Sequence, residues 1–429
     1  MMEKHPLFTV IIPTKDREQY LYHTLRTCSE QTYKNLRVIV ADDASTDNSA
    51  EMVKRMIERD NRISIIARKQ RVGMRENFED ALRYVKDGYV IALGGDDGLL
   101  PNAIESINKI IQETNTQLLT WCPPVYEYPS EANPNGQFSI SHRLKNHTVS
   151  SNEFLSRIST TFNYLAIDCP MFYVKGVAPI ELINRVKART KDGYFYSCPT
   201  PDGFSGVVLA GEVDNFLFSG EPFSIYGASP SSQGQVYKNN DQASKEQSKE
   251  FFNFVSKITM HPELANQQYS PLLSLMTVDY LLTARDLSGW SGNFPPINYR
   301  AMINKSIYEL ASCSFGEDRI EREVEILYNI AAKHKLTDYL STLLSTTKRT
   351  GIPKLIIGNA ISRNMIYINP KEFDIQNIYD AAYAAKYIRK TITKINVHSL
   401  VEAFHESISI YKSKKQANGD LKKYLRSKQ

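Results

Sequence analysis

The sequence predicts an α/β fold: a mostly parallel sheet flanked by helices, followed by an α-helical C-terminal region. Three observations lead there. Over the first 121 residues, short β-branched apolar runs alternate with amphipathic segments of helical period. The apolar runs are continuous, as in strands buried on both faces, and do not alternate with polar residues as half-exposed strands do. Beyond about residue 240 the strand signals give way to long helical stretches.

The elements follow in order. Phe8 to Ile12 (FTVII) reads as a strand stopped by Pro13, and Tyr20 to Ser29 has helical spacing. Leu36 to Ala41 (LRVIVA) is a second strand, closed by Asp42-Asp43, and Ser49 to Glu58 is a helix. Ile63 to Ala67 is a third strand, Glu76 to Val85 a helix, and Tyr89 to Leu93 (YVIAL) a fourth strand. Pro101 is expected to open the next helix, since its fixed φ and missing N–H suit a first turn. Gln117 to Trp121 reads as a fifth strand. From 122 to 150 the pattern dissolves into Pro, Asn, Ser and Tyr, which reads as a long loop; short elements resume from 151 to 230.

At 429 residues, with 42% hydrophobic and 23% charged, the chain has the composition of a globular protein of two or three domains. No run approaches the roughly 18 apolar residues of a membrane span, and the first residues lack a signal-peptide pattern, so a cytoplasmic location is expected. Five scattered cysteines without a CxxC pair argue against a disulfide framework or a zinc site. A net charge of +5 is too mild and too spread to form a nucleic-acid-binding stripe. Only the last stretch is strongly basic, with Lys412, Lys414, Lys415, Lys422, Lys423, Arg426 and Lys428 against Asp420. It reads either as a solvated terminus or as a peripheral contact to the anionic inner face of a membrane.

In open parallel sheets, ligands bind beyond the carboxyl ends of the strands. Three polar clusters fall there: Pro13-Thr14-Lys15-Asp16-Arg17, Asp42-Asp43-Ala44-Ser45-Thr46-Asp47, and Gly94-Gly95-Asp96-Asp97-Gly98. Adjacent carboxylates at the end of a buried strand are costly unless something compensates their charge. Mn²⁺ or Mg²⁺ bridging a diphosphate would do so, with one or two carboxylates, phosphate oxygens and water as ligands. Asp-Asp-Gly also makes ordinary turns, and both readings stand at this point. Asp42 and Asp43 can accept from a base N–H or a ribose hydroxyl, while Ser45, Thr46, Asp47 and Ser49 suit helix capping.

The segments VIIPTKDRE, VIVADDASTDNS, RVGMRENFEDAL and YVIALGGDDGLLP, in this order, resemble the GT-A (Rossmann-like) glycosyltransferases of family 2 over residues 7 to about 113. Residues 198–232 more loosely resemble the acceptor side of bacterial family 2 enzymes that build surface polysaccharides such as capsule or O-antigen. The resemblance implies a catalytic domain over residues 1–235, with a nucleotide-binding half (1–121) and an acceptor-side half (122–235), followed by an α-helical region (236–429). It implies an inverting, metal-dependent transfer of a sugar from a nucleotide-diphosphate donor, UDP-sugar favoured, to a glycan or lipid-linked acceptor. Carried over by position, Pro13, Thr14 and Arg17 would lie along the nucleotide, and Asp42 or Asp43 would hold the base or ribose. Asp96 would be the main metal ligand, with Asp97 beside it and Gly95 close to the donor. Family members often carry an aspartate two places before the metal-binding one; here that position is Gly94.

Inversion also implies a general base, for which Asp202 fits best, after Pro199-Thr200-Pro201 and at the start of a helix; Asp192 is the runner-up, ahead of Glu212, Asp214 and Glu221. A plain N-cap is the other reading of Asp202. Arg68, Lys69, Arg71 and Arg75 are candidates for diphosphate contact or form a solvated face. Tyr194, Phe195, Tyr196, Phe204, Phe223 and Tyr226 are candidates for a sugar-stacking wall or for core. The alternatives to a transferase are a GT-A-like scaffold without chemistry, which Gly94 favours, and a nucleotidyltransferase, which the glycine-free loop after the first strand disfavours. The C-terminal helices are candidates for pairing two copies of the chain.

Overall fold

The computed structural model describes residues 5–131, 133–142, 144–232, 236, 242–349, 360–361 and 364–392. The basic tail beyond Lys412 therefore lies outside the described residues. The first half runs β1 (Phe8–Thr14), α1 (Glu18–Ser29), β2 (Leu36–Asp42), α2 (Ser49–Ile57), β3 (Ile63–Ala67), α3 (Met74–Arg83), β4 (Tyr89–Ala92), β5 (Gly98–Leu99), α4 (Ala103–Thr114) and β6 (Leu119–Trp121). It continues through β7 (Val125–Glu127), β8 (Gln137–Ser141), β9 (His147–Ser150), α5 (Ser151–Thr161), β10 (Gly176–Pro179), α6 (Ile180–Arg189), α7 (Pro201–Ala210), β11 (Asn215–Ser219) and β12 (Ser224–Ala228). Then come α8 (Gln242–Val255), α9 (Leu273–Arg285), α10 (Tyr299–Ser312), α11 (Glu317–Lys333), α12 (Thr337–Thr346), β13 (Ala360–Ile361), β14 (Met365–Ile368) and α13 (Ile378–Ile392).

The main sheet has the order β3-β2-β1-β4-β10-β6-β11-β9. β3, β2, β1 and β4 are parallel, and β10 runs antiparallel to both its neighbours. The register sets Thr14 beside Asp42 and Asp42 beside Ala67, so the carboxyl ends of these strands share one edge. Continuous apolar runs form these strands because both faces are covered. Val10, Ile12, Val38, Val40 and Ile91 pack into a core with α1, α2 and α4, while Ile11, Ile39, Ala41, Val90 and Ala92 pack on the other side with Phe78 and Leu82 of α3 and Phe204 of α7.

Three expectations are corrected. The stretch 122–150 is not one loop: it holds β7, β8 and β9, which are short and broken by Pro and Asn and so leave little periodicity to read. Pro101 does not start a helix; the chain turns through Asn102, in the left-handed region at φ 62°, and α4 begins at Ala103. The region from 236 is not purely helical. β14 pairs antiparallel with β8, from Met365 beside Ser141 to Ile368 beside Phe138, in a second sheet of order β13-β14-β8-β7-β12-β5. α13 follows it onto α1, where Tyr379 and Tyr383 both donate to Glu30 Oε2 and the Arg26 guanidinium lies 3.7 Å over the Tyr379 ring. A shared apolar core of Tyr126, Phe138, Ile225, Ile366, Ile368 and Ile378 explains why this segment returns. Among the described residues, no helix is long and apolar enough to cross a membrane.

Candidate active site

At the carboxyl edge of the main sheet, a cleft of about 460 Å³ opens between the ends of β1, β2 and β4, the start of α7 and the segment after β12. Its lining includes Pro13, Thr14, Arg17, Asp43, Gly94, Gly95, Asp96 and Asp202. Seven of the positions singled out in the sequence therefore meet in one place, together with Gly94, the position of the family departure.

The loop after β1 is built by its neighbour. Asp16, at φ 48°, takes a hydrogen bond on Oδ1 from the Thr46 amide (2.7 Å), and its own amide donates to Ser45 Oγ (2.8 Å). The Arg17 amide donates to Ser49 Oγ (3.0 Å), and the Glu18 amide to Asp47 Oδ2 (3.0 Å). The hydroxyls and carboxylates that looked like helix caps thus stitch the first two strand ends together. Arg17 then reaches across the cleft and donates to the Ser231 carbonyl at 2.8 Å. Thr14 Oγ1 is buried in the cleft wall with no hydrogen-bond partner among the described residues. A Cβ on Gly95 would stand 2.7 Å from that hydroxyl, so glycine keeps this floor open.

The two pairs of aspartates divide their work. Asp42 bonds the Ser45 hydroxyl and amide, does not line the cleft, and serves the turn. Asp43 lines the cleft, accepts from the amides of Val72 (2.7 Å) and Gly73 (2.9 Å), and stands 3.8 Å from the Arg71 guanidinium. Asp96 lines the cleft, with Oδ2 accepting from Ser229 Oγ at 2.6 Å. Burial pushes its carboxyl above the usual range, and nearby Arg17 pulls it back.

Asp97 corrects the expectation of a second metal ligand. It is fully buried, accepts from the amides of Gly94 (2.6 Å) and Gly227 (2.8 Å), and is no part of the cleft lining. It locks the turn that presents Asp96. The same packing explains Gly94. A Cβ there would lie 2.7 Å from Asp97 Oδ2 and closer still to the Tyr173 hydroxyl, which leaves no room for the carboxylate that family members often carry.

Asp202 stands in the first turn of α7 and accepts from the Gly203 amide at 2.9 Å. Burial raises its carboxyl above the ordinary range, and no basic side chain contributes to lowering it. Its charge and those of Asp96 and Asp97 all oppose ionisation of Tyr173 and Tyr226, two phenols of the cleft wall. Asp96 and Asp202 therefore share one electrostatic site with these tyrosines.

Two expectations fail on geometry. Arg75 donates to the Tyr196 carbonyl and to Asp192 Oδ2 (2.6 Å), stacks 4.7 Å from the Tyr194 ring, and is not in the cleft lining. Asp192 is spent in that surface ion pair, so neither residue stands where the donor and base positions lie. Of the four basic candidates, Arg71 alone lines the cleft; Arg68 pairs with Asp80. Of the aromatic candidates, Tyr226 alone lines it, while Phe195, Tyr196, Phe204 and Phe223 are core. Sequence reasoning missed Tyr173, Ser229 and Ser231. Tyr173 carries no motif, and the two serines lie just past β12, where only the ASPSS run hinted at a functional loop.

Among the described residues, no three His, Cys, Asp or Glu side chains cluster closely enough to hold an ion on protein ligands alone. One buried carboxylate, Asp96, beside the orphaned Thr14 hydroxyl fits a Mg²⁺ or Mn²⁺ ion whose remaining ligands come from a diphosphate and water.

A mostly parallel sheet flanked by helices, with a carboxylate exposed at its strand ends and a second one at a helix N-terminus, is the arrangement of a GT-A fold. Residues 9–170 match the family model described as glycosyl transferase family 2, and this stretch of the chain is similar to that family. Glycosyltransferase GlyG of Streptococcus pneumoniae is 27% identical over 113 residues, 26% of this chain and 38% of that protein. The GalNAc(5)-diNAcBac-PP-undecaprenol beta-1,3-glucosyltransferase of Campylobacter jejuni is 26% identical over 151 residues, 35% of this chain and 48% of that one. The matched stretches thus span less than half the length of these relatives. Among solved structures, residues 1–349 of Staphylococcus aureus TarS in complex with UDP align over 96% of this chain and 92% of that one, at 13% identity and a TM-score of 0.41.

Proposed function

We propose that the chain is an inverting glycosyltransferase that moves a sugar from a nucleotide-diphosphate donor to a glycan or lipid-linked acceptor in polysaccharide biosynthesis. The observation that carries this reading is the meeting of Asp96 and Asp202 in one cleft, one carboxylate for the leaving diphosphate and one for the incoming hydroxyl. Asp202 takes the proton of the acceptor hydroxyl. The acceptor oxygen bonds to the anomeric carbon as the bond from that carbon to the diphosphate breaks, and the nucleoside diphosphate leaves with the electron pair. Mn²⁺ or Mg²⁺ held at Asp96 would supply Lewis-acid stabilisation of the leaving group. In this reading Arg17 and the Thr14 hydroxyl, both of the cleft lining, would lie along the diphosphate, and Asp43 with Arg71 would meet the base. An acceptor carboxylate beside a guanidinium donor complements the N3–H and adjacent carbonyl of uracil, an edge that thymine shares, which supports a UDP-sugar with a dTDP-sugar as the competitor to test. The Campylobacter relative is named as a glucosyltransferase acting on a lipid-diphosphate-linked glycan, which supports an acceptor of that class.

Calorimetry with UDP, GDP, dTDP and CMP, with and without Mn²⁺, tests the donor half of this reading. Metal-dependent binding of one nucleotide is expected for the wild type, weakened about 100-fold or more in Asp96→Ala as the charge-assisted contacts go. No binding of any of the four by folded protein would favour a scaffold without chemistry. So would metal-dependent binding that Asp96→Ala leaves intact.

A further inference from the structure

The start of α7 is fastened from outside its own chain segment. Thr200 occupies the N-cap position with extended backbone (φ −104°, ψ 118°), yet its side chain makes no capping bond. Its hydroxyl is hydrogen-bonded to the phenol of Tyr280, on α9 in the helical C-terminal region. Asp202 sits two residues further along.

The joint is close-packed. A Cβ on Gly203 would meet the rings of both Tyr280 and Tyr164, the latter at 2.6 Å. These rings meet edge to face with centroids 5.1 Å apart, and the Tyr164 amide donates to Thr277 Oγ1 of α9 at 3.1 Å. Tyr280 is only 1% exposed, so its hydroxyl has no water to turn to and is satisfied by Thr200 and the Tyr164 phenol, while Tyr269 also bonds the Thr200 hydroxyl. The Asp202 carboxylate is anchored only within its own turn, by the Gly203 amide to Oδ1 and by the backbone amide of Asp202 itself. The direction of the other carboxylate oxygen therefore depends on where the first turn of α7 is held.

We infer that Tyr280 is a positioning residue for Asp202: through Thr200 it fixes the first turn of α7, and the helical region thereby sets the aim of the carboxylate. The inference rests on the reading of Asp202 as general base. Misplacement of a reacting group by about 1 Å costs on the order of 100-fold in rate, so a single remote hydrogen bond can matter to the chemistry. The titratable groups facing Asp202 are Tyr164, Tyr269 and Tyr280 around α7, Tyr173, Tyr196 and Tyr226 towards the cleft, and the Cys169 thiol; none is a cation.

The test uses the full chain and two variants that keep the packing, Tyr280→Phe and Thr200→Val, with Thr200→Ser as the conservative control. Hydrogen exchange of the Phe204 to Val208 amides is expected to quicken about tenfold in the first two and not in the third, with α3 unchanged. Hydrolysis of UDP-glucose with Mn²⁺, water standing in for the acceptor, is expected to lose about tenfold or more in kcat with KM unchanged. The acid limb of its pH profile should move down as the loosened carboxylate becomes wetter. Unchanged exchange in Tyr280→Phe and Thr200→Val overturns the inference. Faster exchange with unaltered kcat and pH profile also overturns it, since the bond would then be structural only. Wild-type hydrolysis by Asp202→Asn would instead overturn the base reading itself, a result separable from both.

Discussion

Asp202→Asn is expected to lower the transfer rate about 10²- to 10⁴-fold while leaving nucleotide binding intact. Asparagine keeps the oxygen that accepts from the Gly203 amide but cannot take a proton, so the loss should fall on kcat and not on donor affinity. Stability should move the other way. A carboxyl whose folded pKa is raised by burial favours the unfolded chain at any pH above its ordinary value, because there the unfolded state holds it ionised at less cost. A neutral isostere removes that penalty, so the melting temperature at pH 7 should hold or rise as activity disappears. In the wild type, activity should climb with pH through a midpoint above the usual carboxylate range, and that acid limb should vanish in the residual activity of the variant. A variant that transfers sugar at the wild-type rate would leave the deprotonation to another group.

The second large effect is structural. Gly227→Ala is expected to cost about 3 kcal/mol or more, at the severe end of overpacking. A Cβ there would overlap the Asp96 carbonyl oxygen, a backbone atom that cannot swing aside. The same glycine gives its amide to Asp97 Oδ1 at 2.8 Å, so any shift of β12 also loosens the turn that presents Asp96. Thermal unfolding should report the loss directly, and metal-dependent nucleotide binding should weaken in whatever fraction stays folded. An alanine variant as stable as the wild type would mean that β12 and the turn can separate without penalty.

These two residues also mark where sequence reading succeeds and where it stops. The order of β1 to β4 and β6 was legible because strands covered on both faces must be apolar throughout, and Val10, Ile11 and Ile12 obey that rule without exception; the two-residue β5 was not read. The gathering of three polar loops on one edge followed from parallel connectivity alone. Which aspartate of each pair faces outward was not legible. Asp97 is turned inward by the amide of Gly227, 130 positions away, and Asp43 is selected over Asp42 by how the loop after β2 coils around Ser45. Arg75 and Arg71 look alike in sequence, and only the placement of Asp192 and Glu250 separates the one held on the surface from the one at the cleft. The second sheet was invisible because its strands are short and its pairings distant, with β8 meeting β14 more than two hundred residues on.

That late pairing bears on how the protein is to be handled and divided. Cutting after residue 235, where the helical stretch begins, would strip β14 from β8 and leave a bare strand edge with Phe138 and Ile140 uncovered. Unpaired edges of that kind recruit other chains. The piece that carries Asp43, Asp96 and Asp202 would thus be expected to aggregate when made alone, and adding back residues 360–392 as a separate peptide is the natural way to keep it in solution.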